Sequence, residues 1–209
     1  MNSKTLKLDI PCNVVDIILD MQPLWIPRAI ATGKLHEYPF FTMGRCAYID
    51  GNTDIYYNDS ARLNVILLKK LNFFYENVLD GLRFLLGEPV KLAHDLAIPG
   101  FHIFKSDPAF LATSGGWHKD CPHTTLELGG TDPHSFTLPI QLPSSGAGLD
   151  YIDDLQQKKY FAYEKNNLMM IDVSLIHRIS RLREYLPGEY RITLQGHLIR
   201  RGKTLEAFF

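Results

Sequence analysis

What most constrains this chain is its texture after Val90: short runs rich in branched and aromatic residues, parted every few positions by turn residues. The runs read VKLAHDLAI, FHIF, SFTLPIQLP, KKYFAYE, LMMIDVSLIH and EYRITLQGHLI, and the breaks read PG, SGG, SSGAG, KNN and LPG. Parallel neighbours need a crossover of about a dozen residues, usually a helix, and these gaps leave little room for one. The spacing therefore predicts an antiparallel sandwich or barrel.

The first ninety residues read differently. CNVVDIILDMQ suits a short helix, and PFFTMGRCAYIDG reads as a strand ending at an Asp-Gly turn. DSARLNVILLKKLNFFYENVLDGLRFLLG is the strongest helix pattern, with Asp59 or Ser60 to cap it and Gly87 and Pro89 to stop it. Leu63, Ile66, Leu67, Lys70, Phe74, Val78 and Leu82 recur near helical spacing. An amphipathic helix needs an apolar surface, and a sheet face is the usual supplier. The expected architecture is α+β: a mainly β, antiparallel double-sheet core with helices packed on one sheet. No repeat or linker divides the chain, so residues 1–209 read as one domain, with a mixed helical support region at 1–89 and the core at 90–200.

One strand is unusual. In EYRITLQGHLI, period-two alternation points Ile192, Leu194 and Leu198 one way and Arg191, Thr193, Gln195 and His197 the other. An inward face of Arg, Thr, Gln and His is unlike a core and suits the lining of a polar pocket.

Composition excludes several functions. Lys plus Arg (22) nearly balances Asp plus Glu (23), so no global field favours nucleic acid or an anionic membrane. The cluster Arg200, Arg201 and Lys203 reads as a solvated end. Cys12, Cys46 and Cys121 are odd in number and lack C-x-x-C spacing, which points to a reducing compartment without a disulfide framework. Charges interrupt the apolar residues of MNSKTLKLDIPCNVVDIILD, so it suits neither a signal peptide nor a span, and a cytoplasmic protein is expected.

The stretch SGGWHKDCPH holds His118, Asp120 and His123 behind a glycine pair. A lone His-x-Asp is weak, and an ordinary polar loop accounts for it equally well. Alternation puts His118 and Asp120 on one face, however, and the chain later offers His177 at a strand end, then Arg191 and Thr193 on the next strand. In this order and strand-rich context the set is specific.

From about Pro99 to Ile199 the chain resembles the iron(II)/2-oxoglutarate-dependent dioxygenase superfamily, with its pattern His-x-Asp…His…Arg-x-Ser/Thr, and the resemblance implies that family's double-stranded β-helix (jelly-roll, cupin-like) core. The resemblance implies that His118, Asp120 and His177 ligate Fe(II), and that Arg191 and Thr193 bind the far carboxylate of 2-oxoglutarate. Gln195 continues that face toward cosubstrate or substrate. Many members carry a Gly-x-Leu turn before the strand leading to the distal histidine, where this chain has Asn166-Asn167-Leu168. Two imidazoles and one carboxylate leave open positions for a chelating keto acid and O2, and the planar fork of Arg suits a carboxylate. Such enzymes couple oxidation of 2-oxoglutarate to succinate and CO2 with oxidation of a C–H bond. The presence of Asp120 favours hydroxylation, desaturation or ring formation over halogenation.

The expected substrate is a small molecule such as an amino acid or a biosynthetic intermediate, with no nucleic-acid or membrane partner. Trp117, His102 and His123 are candidate substrate residues, each with a bland rival as packing or loop. SSGAGLDYIDD lacks the ending of a phosphate loop and reads as a flexible loop over the pocket. Two other readings compete: a cupin-like metalloenzyme using the same triad without 2-oxoglutarate, and a non-catalytic jelly-roll binding module.

Overall fold

The computed structural model describes residues 4–28, 39–112 and 115–209; Ser114, which opens the SGG break, lies outside them. The first part contains β1 (Lys4–Lys7), α1 (Val14–Asp20), β2 (Ile26–Arg28), β3 (Phe40–Met43), α2 (Ala47–Asp50) and α3 (Asp54–Leu86). There follow β4 (Val90–Leu92), β5 (Gly100–Lys105), α4 (Ala109–Ala112), α5 (Pro122–Thr125), β6 (Thr131–Gln141) and β7 (Leu149–Ile152). The chain ends with β8 (Lys158–Phe161), β9 (Asn167–Asp172), β10 (His177–Ile179), β11 (Tyr190–Arg201) and β12 (Thr204–Phe208).

The described strands form two sheets. The larger has nine strands in the order β1-β9-β6-β11-β5-β3-β2, with β12 on β11 and β4 on β12; the smaller is β10-β7-β8. Every pairing is antiparallel except β12 with β4. The strand-rich antiparallel chain expected after Val90 is thus present. The first ninety residues are more than helical support, because β1, β2 and β3 extend the large sheet.

The long strand β11 organises the core. Ile192, Leu194 and Leu198 are buried with Phe101, Ile103, Phe136 and Leu138 of the flanking strands and with Leu67, Leu71, Phe74, Val78 and Leu82 of α3. Phe74 stacks on Phe101 at 5.8 Å between centroids. Gly81 lets α3 approach the sheet edge, since a Cβ there would lie 2.8 Å from Leu8 and 3.1 Å from Leu168. Fully burying side chains of this size is worth about 1.5–3 kcal/mol each.

Several local expectations change. Helix α3 starts earlier than read, at Asp54, because the Thr53 hydroxyl accepts from the Tyr56 amide at 3.2 Å. Asp59 instead pairs with Arg45, Ser60 is buried inside the helix, and Lys70 is exposed rather than part of the apolar stripe. The helix ends at Gly87 in the left-handed conformation (φ 74°), as expected. PFFTMGRCAYIDG is a strand only to Met43 and then a helical turn, since the Cys46 carbonyl and the Asp50 carboxylate gather the amides around it. LMMIDVSLIH is two strands: Asp172 accepts from the Ser174 amide at 2.8 Å and the Leu175 amide bonds back to its carbonyl, turning the chain before His177. SSGAGLDYIDD is not a free loop. Its Leu149–Ile152 forms β7, the middle strand of the small sheet. Asn166, which opens the Asn166-Asn167-Leu168 turn, takes the left-handed conformation at φ 63°.

Arg200 and Arg201 are paired rather than merely solvated, Arg200 with Glu88 and Asp132 and Arg201 with Asp95 and Glu206. Cys12, Cys46 and Cys121 are free. Among the described residues no helix is long and apolar enough to cross a membrane.

Candidate metal centre and adjoining cavity

His118 meets His177 as an isolated antiparallel bridge, each amide bonded to the other residue's carbonyl at 2.9 Å. This brings the end of the glycine-rich segment onto the first residue of β10. Asp120 follows two positions later, just before Pro122 opens α5. The potential ligand atoms of His118, Asp120 and His177 all lie within 4.8 Å of one another.

The protonation pattern suits a cation. His118 Nδ1 lies 3.0 Å from the Gly116 carbonyl and His177 Nδ1 2.9 Å from that of Leu175. A carbonyl only accepts, so each Nδ1 carries a proton, and the tautomer this selects in a neutral ring turns the Nε2 lone pair toward the cluster. These Nε2 atoms stand 3.7 Å and 3.6 Å from Asp120 Oδ1, too far for hydrogen bonds but near enough to share one small cation. Burial and the nearby His118 depress the His177 pKa despite the opposing pull of Asp120, keeping the imidazole in its ligating form. Burial pushes the Asp120 pKa up, but His197, His177, His118 and a bond from Ser135 outweigh it, leaving the carboxyl below its ordinary range. Two imidazoles and a carboxylate fit Fe(II) as a donor set.

Behind Asp120, Ser135 Oγ lies 2.9 Å from His197 Nδ1. Burial holds His197 near neutrality, its pKa lowered to about 4. Its Nε2 is buried without a partner.

A cavity of about 240 Å³ adjoins the cluster, between the two sheets. Its polar lining includes His102, Tyr48, Thr137, Tyr163, Arg191 and Gln195, and its apolar lining includes Phe40, Ile49, Leu149 and Ile179. Arg191 is 5% exposed and donates from Nε to the Ala147 carbonyl at 3.2 Å. Phe104 and Tyr163 flank its guanidinium, at 5.2 Å and 5.4 Å. Its second nitrogen, NH1, has no partner, and neither does the buried Thr193 hydroxyl on the same strand face. Burying a guanidinium without an anion is unfavourable. An orphaned guanidinium nitrogen on a cavity-lining residue fits the carboxylate of a keto acid, whereas Thr193, buried on the same strand face, is not in the cavity lining.

The other candidates separate. His102 is buried and lines the cavity, with the Tyr48 hydroxyl 2.6 Å from its Nε2. Burial, helped by the charge of Arg191, holds its pKa well below the ordinary value, so Tyr48 donates to a neutral ring. On β5 it is therefore His102 and Phe104 that face the cavity, while Phe101 and Ile103 join the core. Trp117 is half-buried, with the Arg178 guanidinium 4.5 Å from its ring centroid; it is absent from the lining of this cavity but lines a neighbouring pocket with Tyr48, His118 and Asp120. His123, half-buried on α5, is not in the cavity wall either.

Tyr48, Tyr163, Thr137 and Ser135 were not singled out in the sequence. Ser135 and Thr137 carry a usable signal, since they alternate with the buried Phe136 and Leu138 on β6. Tyr48 carries none, because its segment reads as a strand and forms a helical turn.

No protein-family model matches this chain, and no curated protein does. Solved structures do. An N-substituted L-amino acid dioxygenase from Burkholderia ambifaria AMMD, in complex with alpha-KG, matches with a TM-score of 0.57 at 13% identity, over 99% of this chain and 86% of that one. A second structure of that dioxygenase matches with a TM-score of 0.58 at 12% identity, over 99% and 86% of the respective chains. An oxidoreductase of the 2OG-Fe(II) oxygenase family from Burkholderia pseudomallei matches with a TM-score of 0.50 at 12% identity, over 92% of this chain and 83% of that one. At such identities the likeness is one of fold. The chain has the fold of 2OG-Fe(II) oxygenases, and on it His118, Asp120 and His177 form a cluster compatible with the His-x-Asp…His pattern.

Proposed function

We propose that this protein is an Fe(II)- and 2-oxoglutarate-dependent oxygenase that hydroxylates a C–H bond of a small molecule, an amino acid or a biosynthetic intermediate, with release of succinate and CO2. The observation that carries this reading is Arg191, a buried cation with an unpartnered nitrogen beside the same cavity as the His-Asp-His cluster. A metalloenzyme working without a keto acid has no use for that arrangement.

In this account His118, Asp120 and His177 hold the iron, while Arg191 and Thr193 hold the far carboxylate of the cosubstrate. When bound, the iron and keto acid supply the activation of O2 and the oxidising power. The chain's part is to orient and to exclude water. Phe104 and Tyr163 fix the guanidinium plane, and the apolar wall of Phe40, Ile49, Leu149 and Ile179 lowers the local dielectric. Tyr48, His102 and Gln195 are the polar groups left to orient a substrate. A cavity of about 240 Å³ suits a small molecule rather than a polymer. The name of the similar dioxygenase directs the first choice of substrates to amino acids, including N-substituted ones. We place the enzyme in the cytoplasm as a single domain.

The test is turnover in air with Fe(II), 2-oxoglutarate and a panel of free and N-substituted amino acids, following succinate and any product heavier by one oxygen. Succinate coupled to such a product supports the reading. Substrate oxidation that proceeds without 2-oxoglutarate overturns it.

A further inference from the structure

The segment that carries two of the three metal-ligand candidates is lightly tied to the fold. Among the described residues, the main-chain hydrogen bonds that hold residues 115–120 to the rest of the chain are the two between His118 and His177. The segment enters through Gly115, at φ 90°, and Gly116, where no side chain restrains the backbone. A two-bond bridge behind such an entry opens readily unless side chains reinforce it.

The reinforcement lies on the other face of the bridge. His118 and His177 exchange both main-chain bonds, so their neighbours Trp117 and Arg178 form the next, non-hydrogen-bonded pair, where cross-strand side chains come closest. The Arg178 guanidinium accordingly lies 4.5 Å from the Trp117 ring centroid. It is held there by Asp150, whose Oδ2 accepts from Arg178 Nε at 3.2 Å, the two residues being register partners on β10 and β7. Lys158 of β8 places Nζ 5.9 Å from the same ring. Trp117, Arg178 and Asp150 thus form one row across three strands, and alternation sets that row on the face opposite His118 and His177. A planar guanidinium over an indole adds stacking to the attraction of charge for the ring, which an ammonium does not reproduce.

We propose that Trp117 and Arg178 are positioning residues that clasp the segment bearing His118 and Asp120 onto β10, and so set the affinity of the His-Asp-His cluster for its metal. The identity of the metal rests on the function proposed above; the clasp itself belongs to the metal-free chain.

The first measurement is amide hydrogen exchange on the metal-free protein, which needs neither iron nor keto acid. In Trp117→Ala the His118 and His177 amides are expected to exchange about five- to tenfold faster. The Ile152 amide, bonded to the Ile176 carbonyl at 2.9 Å beside the same strands, should keep its rate. Trp117→Phe should restore most of the protection and Arg178→Lys should not. Trp117→Ala combined with Arg178→Ala should loosen the two histidine amides no more than Arg178→Ala alone. Anaerobic titration with Fe(II) should then show affinity falling about tenfold in Trp117→Ala and recovering in Trp117→Phe. Unchanged exchange at His118 and His177 would overturn the clasp, and equal loosening of Ile152 would overturn it too by assigning Trp117 to the sheet as a whole. Faster exchange with unaltered Fe(II) affinity would overturn the link to the metal. A wild-type protein that protects these amides but binds no Fe(II) would instead overturn the parent function.

Discussion

His118 and His177 hold each other through paired main-chain hydrogen bonds of 2.9 Å, with their ring centroids 4.5 Å apart. Two side chains distant in sequence are therefore brought together by backbone, before any cation is involved. The pairing of the two histidines is carried by the main chain.

Metal removal should accordingly leave the protein folded. Chelation is expected to preserve the far-ultraviolet circular dichroism, while added Fe(II) raises the melting temperature by mass action, about 2.7 kcal/mol at a hundredfold excess over Kd. In His177→Ala that increment should vanish. Loss of structure on chelation alone would contradict the backbone account.

Ser135 Oγ lies 2.9 Å from His197 Nδ1, and the Ser135 hydroxyl is one of the groups that lower the Asp120 pKa. Groups that orient a metal ligand typically contribute about 10–100-fold in affinity. Ser135→Ala is expected to weaken Fe(II) binding by roughly tenfold with little change in melting temperature. Unchanged affinity would show that Asp120 is oriented without it.

Asp50 governs part of the acid limb of stability. Burial pushes its pKa up, but the two-pronged bond with Arg28, the Cys46 amide and Arg45 outweigh this and hold it below its ordinary 3.8. A carboxyl depressed in the folded state contributes stability above its unfolded pKa and loses it as pH falls through the folded one. Urea unfolding of Asp50→Asn should therefore show a shallower loss of stability below about pH 4 than the wild type. Parallel acid limbs would remove Asp50 from the explanation.

Gly100 has no room for a side chain: a Cβ would lie 2.1 Å from the Phe209 ring and 2.9 Å from the Met43 carbonyl. Gly100→Ala should cost about 1–3 kcal/mol, seen as a lower urea midpoint at unchanged slope. An unaffected midpoint would mean that the C-terminal Phe209 moves aside freely.

Much of this was legible in the sequence. Period-two alternation on β11 separated Ile192, Leu194 and Leu198, now in the core, from Arg191, Thr193, Gln195 and His197, now buried or facing the cavity. It did so because β11 is long and regular, so one pattern decides many residues. The failures fall where a few side-chain bonds override local pattern. Thr53 starts α3 by capping it, Asp172 breaks one apparent strand into two, and Leu149–Ile152 pairs on both edges despite its glycine-rich lead. Trp117 meets Arg178 because it lies one residue before His118 and Arg178 lies one residue after His177 on the opposite strand. That partner is visible only once the bridge is known.

The most direct measurement is anaerobic titration of the metal-free protein with Fe(II) and then 2-oxoglutarate, watching for the visible charge-transfer absorption of a chelated keto acid. The band is expected in the wild type, absent in His177→Ala, and shifted to higher 2-oxoglutarate concentration in Arg191→Ala. Tight Fe(II) binding with no band at any keto-acid concentration would contradict the central claim, leaving a metal site that serves some other reaction.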